Sequence, residues 1–120
     1  MVRVYSPDRW VIVKLDHKEN STYKVLGGWS GGYLDGDSWR LNSGIESYEQ
    51  QGKKIVFKGY SGSEYHCGVD SEQMSMAVHQ GLAYIKGLIG SKGTVEVVDF
   101  EQYKQDSGRA KTVSNEPVGK

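Results

Sequence analysis

SEQMSMAVHQGLAYIKGLI, residues 71–89, is where a chain that otherwise runs on a two-residue beat changes to a longer one. Met74, Ala77, Val78, Gly81, Leu82, Ile85, Leu88 and Ile89 are apolar or small, and their spacing lines one side of an α-helix. Asp70 is placed to cap its start, with Gln73 three residues on as in a capping box, and Gly90 is placed to end it. Glycine at position 81 costs about 1 kcal/mol relative to alanine, but it lets the helix approach a sheet closely. The stretch predicts one long helix over about residues 71–89, and with it an α+β domain instead of an all-β one.

Upstream of the helix the signals are those of strands. Residues 10–15 (WVIVKL) are rich in β-branched side chains, the polar run DHKENS turns the chain, and TYKVL resumes it at residues 22–26. Asp35, Gly36 and Asp37 mark a second hairpin between Tyr33-Leu34 and residues 38–41. Residues 45–49 alternate, QQGK turns, KIVF pairs back, and residues 63–68 continue as a further strand. The first half therefore reads as an antiparallel β-meander, packed against the helix and closed by a final strand at about residues 94–100. A single domain over residues 1–103 is expected, followed by a polar, aperiodic tail over residues 104–120.

Composition narrows the function classes. The 120 residues fit one core, and 15 basic against 15 acidic side chains give no net attraction to nucleic acid or anionic lipid. The single Cys67 makes no intrachain disulfide, which points to a reducing compartment. The opening MVRVYSPDRW has no apolar run or small-residue cleavage site, and no segment reaches the roughly 18 to 20 apolar residues of a membrane span, so a cytoplasmic protein without membrane association is expected. The tail has scope to lie on a neighbouring protomer, and a homo-oligomer is expected with it.

The unusual surface lies in GGWSGGYLDGDSWRLNSG, residues 27–44. Its start is echoed downstream: KVLGGWSGG at residues 24–32 and IVFKGYSGS at residues 55–63 share an apolar pair, glycine, aromatic, serine and glycine at an offset of 31. Flanking glycines free the backbone and thrust the ring out, while serine offers donor and acceptor, so two strands are expected to end in matching turns that lie together. The competing arrangement makes Trp29 and Tyr60 cross-strand core partners at matched bulges. If the turns face outward, a binding site follows: Trp29, Tyr33, Tyr60 and Tyr65 stack a guest, Trp39 adjoins them, Arg40 takes phosphate, and Ser30, Asn42, Ser43, Ser61 and Ser63 hydrogen-bond. Arg40 also has a plain alternative as a surface partner of Asp35 or Asp37.

Catalytic signals are weak. His66 and Cys67 are neighbours on a strand and face opposite ways, so they form no nucleophile and base pair. His17, His66 and His79 lack metal-ligand spacing, the acidic turn lacks the rest of a calcium loop, and no glycine-rich loop opens directly onto the helix. No enzyme activity, cofactor or metal is expected.

WSGGYLDGDSWRLNSGI followed by KGYSGSEYHC resembles a pattern in short accessory proteins of tailed bacteriophages, over about residues 9–68. The resemblance implies a small viral protein acting in the host cytoplasm, similar to counter-defence proteins that sequester nucleotide immune signals or block a host protein. It implies no particular binding residue. Three functions then stand side by side: sequestration of a nucleotide-like small molecule without catalysis, inhibition of a host protein by exposed aromatics, and binding of single-stranded nucleic acid. Asp35 and Asp37 against Arg40 make the last a poor electrostatic match.

Overall fold

The computed structural model describes residues 2–32 and 36–107; Tyr33, the turn residue Asp35 and the polar segment 108–120 lie outside the described residues. In chain order the elements are β1 (Val4–Tyr5), β2 (Arg9–His17), β3 (Asn20–Gly32), β4 (Gly36–Leu41), β5 (Ile45–Gln51), β6 (Lys54–Gly59), β7 (Glu64–Gly68), α1 (Met76–Ile89), β8 (Gly93–Val98) and α2 (Phe100–Ser107).

The strands form two four-stranded sheets, ordered β4-β3-β2-β8 and β1-β7-β6-β5. Each is built on a three-stranded antiparallel meander, β2-β3-β4 in the first and β5-β6-β7 in the second. A strand distant in sequence then extends each, β8 antiparallel to β2 and β1 parallel to β7. The expected single meander is thus corrected to two. The chain changes sheet at Gly44, whose φ of +131° is open to glycine and strained for other residues.

β2 accounts for its own composition. Trp10 and Ile12 face the second sheet, Val11 and Val13 face α1, and all four are buried. A strand covered on both faces needs apolar residues at every position instead of alternate ones. Between the sheets Trp10 packs 5.5 Å from Phe57, and Phe100 lies 5.8 Å from Phe57 and 5.4 Å from Tyr48. The Trp10 indole N–H donates to the Gly68 carbonyl at 2.7 Å, so the ring is buried with its polar atom satisfied.

The one long helix over residues 71–89 is also corrected. α1 has 14 residues and starts at Met76, and its cap is Ser75, whose Oγ accepts the Val78 N–H at 3.2 Å, not Asp70. The residues before it are committed elsewhere. Gln73 N–H donates to the Trp10 carbonyl at 3.0 Å, Glu72 bridges Trp10, and the Glu72 carboxylate accepts the Phe100 N–H at 2.7 Å. Ala77, Val78, Gly81, Leu82 and Ile85 make the buried side, while Met74 and Leu88 are exposed. At Gly81 an added Cβ would stand 2.7 Å from the Trp39 ring, which shows how closely helix and sheet approach.

A second helix, α2, occupies residues whose composition carries no helical period. Asp99 starts it, its Oδ1 accepting the Gln102 N–H at 2.8 Å, and so the closing strand ends at Val98 instead of about residue 100. Phe100 and Tyr103 hold α2 to the inter-sheet core. No helix among the described residues is long and apolar enough to cross a membrane.

Candidate functional site

The expected site divides along β3. At one end Trp29 is half-buried, its indole N–H donating to the Ser6 carbonyl at 3.0 Å and its ring edge-on to Tyr5 at 6.4 Å. Tyr5 also lies 5.1 Å from the buried Tyr65 and carries the Arg40 guanidinium 4.5 Å over its ring. Burial pushes the Tyr65 hydroxyl up to about 12, although the Arg40 charge pulls the other way. Ser30 is exposed, and its backbone N–H donates to Asp8 Oδ2 at 2.9 Å. Trp39 does not join this group. It faces α1, 5.5 Å from Tyr84, because it is one residue along β4 from Arg40 and strand side chains alternate.

At the other end stand Asn42, Ser43, Tyr60, Ser61 and Ser63, and most of their hydrogen bonds hold the sheet crossover. Buried Asn42 accepts at Oδ1 from Val25 N–H (2.9 Å) and from Gly44 N–H (3.2 Å), and its own N–H donates to the Val25 carbonyl at 2.9 Å. It extends the β3 ladder by one rung beyond β4 while turning the chain. Ser43 Oγ accepts the Ser61 N–H at 2.9 Å, the Gly44 carbonyl accepts the Tyr60 N–H at 3.1 Å, and the Ser63 carbonyl accepts the Gly59 N–H at 2.9 Å. Asn42 Oδ1 and the Ser63 carbonyl are therefore committed to the crossover. The physical reason is that a crossover leaves backbone donors inside the protein that need partners.

The matching turns are corrected as well. Residues 27–30 stay inside β3, flanked by β2 and β4, with a register shift between Trp29 and Gly32. The echo at residues 59–62 is a true turn, with Gly62 at φ +98° and Tyr60 exposed. The Tyr60 ring lies over Gly44, 3.0 Å from where a Cβ would stand, beside Thr22. Thr22 and Trp29 are seven residues apart on one strand, about 23 Å at roughly 3.3 Å per residue. Trp29 and Tyr60 are neither joint walls of one site nor cross-strand partners.

What Tyr60 does border is a cleft of about 430 Å³ between the start of β3, the start of β5 and the end of α2. Its walls are Tyr23, Tyr48, Tyr60 and Tyr103, with Ser21, Thr22, Ser47 and Ser107 between them, and among the described residues lining it Glu46 alone is charged. Tyr23 and Tyr103 meet edge to face at 5.3 Å. The Tyr23 hydroxyl donates to Asp106 Oδ2 at 2.9 Å, and burial together with that carboxylate pushes its ionisation up to about 12. The Gln102 and Tyr23 hydrogen bonds hold Asp106 below the ordinary carboxylate range. Of the cleft residues only Tyr60 was expected in a site. Tyr23 and Tyr48 are legible as tyrosines within strands, following Thr22 and Ser47 and outside the glycine-rich stretch; Tyr103 is the last residue of the expected domain, where no helical period marks it.

A second cleft, of about 400 Å³, lies where β2 and β3 meet the end of α1; His17, Lys24 and Lys92 stand around Leu15, Leu88 and Ile89. Elsewhere His66 Nε2 lies 2.9 Å from Glu64 Oε1, while Cys67 is buried in the core, where burial pushes its thiol far up and keeps it protonated. Among the described residues no three of His, Cys, Asp and Glu are grouped so as to hold a metal ion. No protein-family model, curated protein or solved structure matches this chain.

Proposed function

We propose that this protein is a non-catalytic binding protein that holds a segment of another protein in the tyrosine cleft and thereby blocks that partner. The observation that carries the reading is the cleft's composition. The exposed Tyr60 and half-buried Tyr23, set over the buried Tyr48 and Tyr103 among serines and a threonine, offer amphipathic contact surface at small entropic cost, as in antibody paratopes. Taken with the resemblance to phage accessory proteins, the partner would be a host protein in the cytoplasm. Panning a display library of short random peptides, with counter-selection on Tyr60→Ala, tests it. Peptides that bind the wild type and not the variant are expected; no enrichment, or equal binding to both, removes the reading.

A nucleotide-like ligand is the second reading, and it moves to the other cleft. Arg40 is spent on Tyr5, away from the tyrosine cleft, whereas His17, Lys24 and Lys92 surround an apolar floor suited to an anion with a flat body. A panel of nucleotides should then raise the melting temperature by mass action, and Lys92→Glu should abolish the rise. A melting temperature unmoved by the whole panel excludes it.

A further inference from the structure

In an antiparallel ladder each residue sends its N–H and C=O to the same side, and successive residues alternate. Along β3 the register is anchored twice. The Gly28 carbonyl accepts from Asp8 on the β2 side, and Val25 exchanges both its backbone bonds with Asn42 on the β4 side. Ser21 and Tyr23 share the parity of Val25, so their backbone groups also point away from β2. β4 pairs only with the part of β3 from Leu26 onward, and Gly44 carries the chain off into the second sheet. No described residue bonds the outward N–H or C=O of Ser21 or Tyr23, and Ser21 is exposed. Ser21 and Tyr23 line the tyrosine cleft, as do residues 45–48 of β5, an edge strand of the other sheet.

An open edge is a template for a further strand. We propose that the β3 edge at Ser21 and Tyr23 takes up an extended peptide segment of a partner protein as an added strand, with a Lys or Arg of that segment reaching Glu46. This rests on the protein-segment reading of the cleft above. The edge supplies affinity through main-chain hydrogen bonds, and the tyrosine walls receive alternate side chains. Glu46, with Asp106 close by on Tyr23, makes the mouth acidic and selects a basic residue.

The probe is the set of short peptides selected by display on the wild-type protein. Ser21→Pro deletes the outward N–H and leaves the β2–β3 ladder intact, since the lost donor points away from β2; Ser21→Ala keeps the N–H and loses only the hydroxyl that bonds Asp16. Peptide affinity should fall about tenfold in Ser21→Pro, the loss of one main-chain bond, and stay near wild type in Ser21→Ala. Should Ser21→Pro misfold, N-methylation along the peptide gives the same information from the other partner: methyl groups at alternate amides should abolish binding and those between should not. Glu46→Gln should weaken peptides carrying Lys or Arg and leave others unchanged. Peptides that bind yet ignore both the proline and the methyl groups overturn strand addition while sparing the cleft. Absence of any binding peptide overturns both. Self-association lost in Ser21→Pro, with no peptide bound, would assign the edge to a second copy of the chain instead.

Discussion

Residues 24–32 and 55–63 spell nearly the same order of side chains and take different shapes. In the first, β4 continues to pair beyond the glycines, so Gly27 and Gly28 are buried inside a ladder and Trp29 is drawn down onto Tyr5 and Ser6. In the second, β6 ends at Gly59, the chain reverses at Gly62, and Tyr60 stands 68% exposed over Gly44. The glycines serve opposite purposes. Gly28 is small because α1 presses on it, an added Cβ meeting Val78 Cγ2 at 2.9 Å and Ala77 Cβ at 3.0 Å. Gly62 has open space around it and is required by its backbone angle. A shared motif is a shared set of permissions, and the neighbours decide which is used.

That contrast can be broken or sharpened by substitution. The largest loss is expected at the joint between the two meanders. Asn42→Ala leaves the Val25 and Gly44 N–H groups buried without an acceptor, and chemical denaturation should show a loss of about 3 kcal/mol. Next come the two glycines at matched positions. Gly28→Ala should cost about 2 to 3 kcal/mol by pushing α1 off the sheet, whereas Gly59→Ala should cost about 1, since its nearest obstacle is the Ser43 hydroxyl, whose displacement gives up the one bond from the Ser61 N–H. Equal losses at the two sites would mean the steric contrast is wrong. The matched aromatics should differ further: Trp29→Ala by about 2 kcal/mol in stability, Tyr60→Ala by no more than about 0.5, with its effect appearing in binding instead.

The smallest effect is read by pH. Tyr65, packed on the Tyr5 ring that also meets Trp29, and Tyr23, in the cleft with Tyr60, both hold their protons up to about 12, against an ordinary tyrosine value of 10.0. The unfolded chain releases those protons first, so the contribution is complete below pH 10 and is lost as pH rises through 12. Alkaline melts with Tyr65→Phe and Tyr23→Phe should each flatten that loss, and ultraviolet titration of the phenolates should lose one late step per variant. If Tyr23→Phe instead removed a step near the ordinary value of 10.0 and kept every late one, Tyr23 would not be held by burial and Asp106.

The helix shows how far local patterns reach. Ala77, Val78, Gly81, Leu82 and Ile85 are buried, as their spacing predicts, because a helical period is a property of neighbouring residues. Its start was not legible. Asp70 and Gln73 form a plausible capping box, but Gln73 and Glu72 are held by Trp10 and Phe100, which lie far away in sequence. α2 was hidden for a related reason: apart from Phe100 and Tyr103 it is polar, and those two rings reach the core only because both sheets are already there.

Amino-acid order alone determined the strands of both meanders, the presence of α1 and its buried side. Tertiary structure decided that the meander is two, that Trp29 and Tyr60 lie at opposite ends of β3, and that tyrosines from three separate elements share one cleft. The reason is range. Periodicity and turn chemistry act over a few residues, whereas the meeting of Tyr23, Tyr48 and Tyr103 depends on a reversal at Gly44 and on a core that exists only once both sheets have packed.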